Sequence, residues 1–248
     1  MSGRGGLTLV VDDATDALAR QVAAELARRG RQVEHVPALR LGMLDVHLAG
    51  RSATVNGRRL GAVLFRAAPW SRYDAGFTDT DASFATAEVA ATWLAITQLP
   101  SVISLNRLHP EAWSTFSEWP VWRRCLAAAG VPQVEIGVGD LEEIEPTWLP
   151  WGGGVATAPR AAIRRSFAPA LTRATGLRHG LWFDGTLLDG SGSPAAEQGA
   201  ASLAADGIRL AGISIDRSGR VAAATAHPRV ADATAAAVAG QVADALAS

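Results

Sequence analysis

The chain has 248 residues, 48% of them hydrophobic and 19% charged, with a formal net charge of −1. That length buries a sizeable core in one large or two smaller domains, and the balanced charge excludes the concentrated basic field that a nucleic-acid or membrane-surface partner needs. All 23 basic residues are arginine and Cys125 is the single cysteine, which removes lysine Schiff bases, phosphate-loop lysines, intramolecular disulfides and cysteine metal cages from consideration.

Met1 to Gly6 lacks the apolar stretch of a signal peptide and no apolar run reaches spanning length, so a cytoplasmic protein is expected. Leu7 to Val11 reads as a buried strand, followed by the acidic turn Asp12-Asp13-Ala14-Thr15-Asp16 capping a helix from Ala17 to Arg29. Gly30 stops that helix and Gln32 to Val36 is the next strand. This β-α-β opening is Rossmann-like without the glycine fingerprint, and its two aspartates would repel a phosphate. Met43 to Leu48 and Ser52 to Val55 form a small antiparallel excursion, with Asn56-Gly57 as a further turn signal. Ala62 to Phe65 is the next core strand, ending in Arg66. Asp81 opens a long helix through Gln98, with Phe84, Glu88, Ala91 and Ala95 on one face and Trp93 offset from it. Val102 to Ser104 is a short buried strand leading into the polar loop Asn106 to Pro110, and a further helix ends at Gly130. A polar loop at the carboxyl end of a strand is where an α/β sheet places its ligand.

Beyond Pro132, Gln133 to Val138 reads as a strand, Thr147 to Pro159 as a loop rich in Trp, Pro and Gly, and Ala161 to Thr175 as helical around Pro169. Leu181 to Leu188 is a hairpin turning at Asp184-Gly185, Ala195 to Ala205 a helix, Ile208 to Ala224 a second hairpin, and Ala231 to Leu246 the closing helix. The five histidines show no ligand spacing, and no Gly-x-Ser-x-Gly elbow is present.

The order of these elements, with "VLFRAAP", "FATAEVAATWLAITQLPSVISLNR" and "VWRRCLAAAGVP", resembles the amino-terminal domain of ATP-grasp ligases, and more narrowly the graspetide (microviridin-type) peptide maturases. The resemblance covers about the first 135 residues well and becomes partial after Pro132. It implies an α/β protein with a Rossmann-like pre-ATP-grasp domain over residues 1–132. A reduced α+β ATP-grasp-like domain over 133–248 then follows, lacking a full central domain.

An ATP-grasp ligase needs cations on the phosphates, a glycine-rich loop over them, and carboxylates with an asparagine on Mg²⁺. Lysine is absent, leaving Arg123, Arg164 and Arg165 as substitutes on phosphate, and Gly152 to Gly154 reads more readily as a connector than as an anion cradle. Aligned on the family pattern, Asp216 takes the first carboxylate position, while Thr225 replaces the glutamate and His227 the asparagine. Neither replacement suits a hard oxygen-seeking cation. The expectation is therefore a degenerate, ATP-grasp-like protein of peptide or natural-product maturation, with no metal or other cofactor. It would hold a peptide substrate or a catalytic partner protein in a crevice bordered by Arg66, Arg72, Asn106, Arg107, Trp148 and Trp151, cations selecting carboxylates and aromatics supplying apolar area. Two alternatives stay open: a reduced but active ATP- and Mg-dependent ligase using Asp216, and a structural homo-oligomer. No nucleic-acid or membrane partner is expected.

Overall fold

The computed structural model describes residues 6–12, 16–66, 79–107, 119–134, 136–140, 165–169, 177–228 and 230–248. The chain divides into two compact units, Met1–Trp113 with Val230–Ser248, and Ser114–Arg229. This division departs from the expected boundary after residue 132 at both ends of the second half. The helix of residues 119–128 packs with the later elements, and the last helix returns to the first unit.

In the first unit, strands β1 (Leu7–Asp12), β2 (Val33–Pro37), β3 (Val46–Ala49), β4 (Ser52–Val55), β5 (Arg58–Phe65) and β6 (Ile103–Leu105) form one sheet in the order β2-β1-β5-β4-β3, with β6 also on β5. β1 runs parallel to β2 and β5, and β5 parallel to β6, while β3 and β4 are an antiparallel excursion. Asn56 and Gly57, at φ 51° and 72°, give that excursion a turn in which both central residues need positive φ.

Alternation splits the buried strand residues between two faces. Leu7, Leu9, Val11, Val63 and Phe65 share a core with Ala53, Val55, Trp93 and Ile96, so helix α2 (Asp79–Thr97) covers that face. Trp93 meets Phe65 edge-on at 5.8 Å and 74°. The α2 face formed by Phe84, Glu88, Ala91 and Ala95 is the exposed one. α1 (Ala17–Arg28) and α5 (Asp232–Ala247) pack against each other and on the strands. Arg29 joins them, its guanidinium pairing with Asp244 and donating to the Gly240 carbonyl at 3.2 Å.

The second unit holds an antiparallel sheet of β9 (Arg178–Phe183), β10 (Thr186–Gly190), β11 (Leu210–Ile215) and β12 (Val221–Thr225), in the order β10-β9-β11-β12. The expected hairpin turn at Asp184-Gly185 is present, with φ 49° and 78°. Helices α3 (Trp119–Ala128) and α4 (Pro194–Ala205) pack on this sheet and on each other. A Cβ on Gly199 of α4 would lie 3.2 Å from Leu126 of α3, so glycine permits the close approach. Ser193 caps α4, accepting from the Ala196 N–H at 3.1 Å, and its hydroxyl donates to the Gly219 carbonyl at 2.7 Å.

A separate antiparallel pair joins β7 (Ile136–Asp140) to β8 (Arg165–Pro169). β8 replaces part of the helix expected over Ala161 to Thr175. Pro169 has no N–H to donate inside a helix, but it is tolerated at the end of a two-stranded ladder. Among the described residues no helix is long and apolar enough to cross a membrane.

Candidate functional site

The carboxyl edge of the parallel strands in the first unit is the first place to look for a site. From β1 the chain crosses through α1 to β2 on one side, and from β5 it passes through α2 to β6 on the other. The strand order therefore reverses between β1 and β5, where open α/β sheets present a ligand crevice. Polar side chains gather there. Asp16 caps α1 by accepting from the Ala19 N–H at 2.7 Å. Its carboxylate also receives Arg66 at the end of β5, through Nη2 at 2.9 Å and Nε at 3.3 Å. Asp12, at the end of β1, is 1% exposed and lies 2.9 Å from Nε2 of His35 on β2.

Arg66 was expected to present its charge to a ligand. Its side chain is fully buried against Asp16, so it serves as an internal tie between β5 and α1. Asn106, just past β6, is also buried, and its carbonyl accepts from the Ser104 hydroxyl at 2.9 Å. Arg107 beside it is exposed. Arg72, Trp148, Trp151, Arg164 and the glycine run Gly152 to Gly154 lie outside the described residues. Of the expected binding set, Arg66, Asn106 and Arg107 thus belong to the first unit, and Arg107 is the one that reaches solvent.

The hairpin joining β11 and β12 in the second unit carries the position expected for a metal carboxylate. The Asp216 side chain is 12% exposed. One carboxylate oxygen accepts from the Ser218 hydroxyl at 2.7 Å and the Arg220 N–H at 2.9 Å. The other accepts from Nε of Arg220 at 2.9 Å. Burial pushes the Asp216 pKa up, but the Ser218 hydroxyl, the Arg220 N–H and the Arg220 guanidinium together hold it below the usual carboxylate range. Farther along, the Thr225 hydroxyl accepts from the His227 N–H at 3.1 Å. A carboxylate closed on its own turn, a threonine hydroxyl and an imidazole do not fit a Mg²⁺ ion, which takes hard oxygen donors in near-octahedral array. Among the described residues there is no group of three or more His, Cys, Asp or Glu side chains placed to hold a metal.

Of the proposed phosphate cations, Arg123 on α3 donates through Nη1 to the Val134 carbonyl at 2.7 Å, while Gln133 donates to the Arg123 carbonyl at 3.2 Å. Burial lowers the Arg123 pKa. Its guanidinium ties α3 to the segment that leads into β7. Arg165 begins β8, opposite Asp140 in the register.

One polar pair had no sequence signal. His179 of β9 and Ser214 of β11 stand opposite each other in the register, with Nδ1 and the hydroxyl 2.8 Å apart. Burial pushes the His179 pKa down, favouring the neutral ring. Asp12, Asp16 and His35 were likewise not singled out as partners, because their pairing depends on which strands lie side by side.

No protein-family model matches the chain, and no curated protein matches it in sequence. Solved structures do match. The ATP-grasp ligase PsnB, complexed with a minimal precursor, is 18% identical with a TM-score of 0.63, over 96% of this chain and 97% of PsnB. The macrocyclase MdnB from Microcystis aeruginosa MRC is 9% identical with a TM-score of 0.59, over 97% of this chain and 99% of its own. A RiPP-associated ATP-grasp ligase from Chryseobacterium gregarium, in complex with ADP and a leader and core peptide, is 9% identical with a TM-score of 0.57, over 98% and 95%. The likeness therefore runs well past residue 132, where the resemblance in sequence thins. The chain has the mixed α/β, ATP-grasp-like fold of these ligases.

Proposed function

We propose that this chain works in peptide maturation as a pseudoenzyme of the ATP-grasp fold, binding a peptide substrate or a catalytic partner without hydrolysing ATP. The observation that carries the proposal is the state of Asp216. Both of its oxygens are already taken by Ser218 and Arg220, and the two following family positions hold Thr225 and His227. The absence of lysine from the whole sequence supports the same conclusion on the phosphate side. Peptide binding is proposed by analogy with PsnB, solved with a precursor peptide, and the Chryseobacterium ligase, solved with a leader and core peptide. On this chain it is assigned to the exposed Arg107 of the first unit, whose charge would select acidic side chains.

The test is thermal unfolding with and without millimolar Mg-ATP. A ligand at 100 times its dissociation constant would add about 2.7 kcal/mol, a rise of several degrees. The expected outcome is a shift below about 1 °C. A saturable rise abolished in Asp216→Asn would overturn the proposal in favour of a reduced, active ligase.

A further inference from the structure

We infer that Asn56 is a chemical modification site held closed by the native turn. When the turn between β4 and β5 opens, its side-chain amide is lost to the Gly57 nitrogen and a carboxylate takes its place. The chain contains two asparagines, Asn56 and Asn106. Asn106 is 2% exposed and precedes an arginine, whereas Asn56 is exposed and precedes a glycine. A following glycine has no Cβ to hinder its nitrogen, so Asn56 has the more reactive neighbour.

The step balances with water as the one co-reactant. The Gly57 backbone nitrogen attacks Cγ of Asn56 and forms an N–Cγ bond. The Cγ–Nδ2 bond breaks, and Nδ2 leaves as ammonia with the proton lost by the attacking nitrogen. Water then adds to either carbonyl of the cyclic imide. Opening on one side gives aspartate, and opening on the other gives isoaspartate, whose main chain runs through Cβ and Cγ.

The native turn opposes the first of these events. At φ 51° Asn56 lies in the left-handed region, where ψ near about +47° turns the following nitrogen away from Cβ. Ring closure needs the two on the same side. The side chain is held as well, Oδ1 accepting from the Asp45 N–H at 3.1 Å and Nδ2 donating to Oε1 of Glu34 at 3.2 Å. The Asn56 N–H donates to the Asp45 carbonyl at 2.7 Å. Opening the turn releases these bonds and frees the torsions that bring nitrogen and Cγ together.

The product does not restore the turn. A carboxylate at position 56 sets an oxygen against Glu34 where Nδ2 had donated, and the like charges repel. Glu34 already pairs through Oε2 with Arg58 at the start of β5. Aspartate keeps the backbone geometry, as Asp184 does at φ 49° before Gly185. Isoaspartate lengthens the main chain, so a two-residue turn no longer holds Thr54 opposite Arg59 and Val55 opposite Arg58. Ala53 and Val55, buried in the first core, are then displaced. A transient opening thereby becomes a lasting one.

Peptide mass mapping of the full chain, incubated in mildly alkaline buffer with and without denaturing urea, tests the inference. Conversion at Asn56 is expected to be at least about tenfold slower in the folded chain. Val55→Ala, which loosens the excursion, should raise the folded-state rate about tenfold and leave the rate in urea unchanged. Val22→Ala on α1 should leave both rates unchanged, with circular dichroism showing that each variant is folded. Asn56→Asp supplies the carboxylate directly, and should lower the urea midpoint by less in a Glu34→Gln background than in the parent. Equal rates with and without urea overturn the inference, as does a folded-state rate indifferent to Val55→Ala or raised equally by Val22→Ala. An Asn56→Asp chain as stable as the parent overturns the lasting opening by repulsion.

Discussion

At the scale of single residues, the structure assigns polar side chains to partners that a linear sequence does not display. Asp216 is the clearest case. Its position in a hairpin was legible, but Ser218 and Arg220 turn a candidate metal ligand into the closure of a turn. His179 is the second case. Because burial lowers its folded pKa below the ordinary value near 6.5, the unfolded chain takes up a proton first as pH falls. Stability is therefore full above about pH 7 and declines as pH drops through about 6.5, levelling off below the folded pKa. Urea midpoints measured at pH 8 and pH 5.5 should show a loss that is reduced in His179→Asn.

At the scale of elements, the ion pair Arg66–Asp16 locks the end of β5 to the start of α1, and the same aspartate caps the helix. Removing one partner of a buried pair leaves an uncompensated charge, so Arg66→Ala should cost about 3–5 kcal/mol in chemical denaturation. Adding Asp16→Asn, which still caps a helix but carries no charge, should recover part of that loss. Helix starts and hairpin turns were legible because their signals are local, as Asp16 before α1 and Asp184-Gly185 show. β8 was not legible. Strand pairing with β7 supplies hydrogen-bond partners from about thirty residues away, and that gain lies outside any local window.

At the scale of the whole molecule, the last helix belongs with the first unit. α5 buries Ala235, Val238, Ala239, Val242, Ala243 and Leu246, and Arg20, Arg29 and Arg31 reach it from the first half of the chain. Its three larger apolar side chains alone are worth on the order of 6 kcal/mol, comparable with the total stability of a domain. A chain ending at Arg229 should therefore lose the cooperative unfolding of the first unit, read by the fluorescence of buried Trp93 against a Trp93→Phe control.

What the sequence determined by itself was the α/β class, most helices and turns, the absence of lysine, and the likeness to ATP-grasp peptide maturases. The first three follow from composition, hydrophobic period and local turn chemistry, whereas the likeness rests on resemblance to the family in element order and in stretches such as "VLFRAAP" and "VWRRCLAAAGVP". Tertiary structure alone decided that Arg66 is buried on Asp16, that Asp216 is closed by its own turn, that His179 faces Ser214 and that α5 completes the first unit. Each of these depends on strand register or on helix docking, and so on the folding free energy of the whole chain rather than of any local segment.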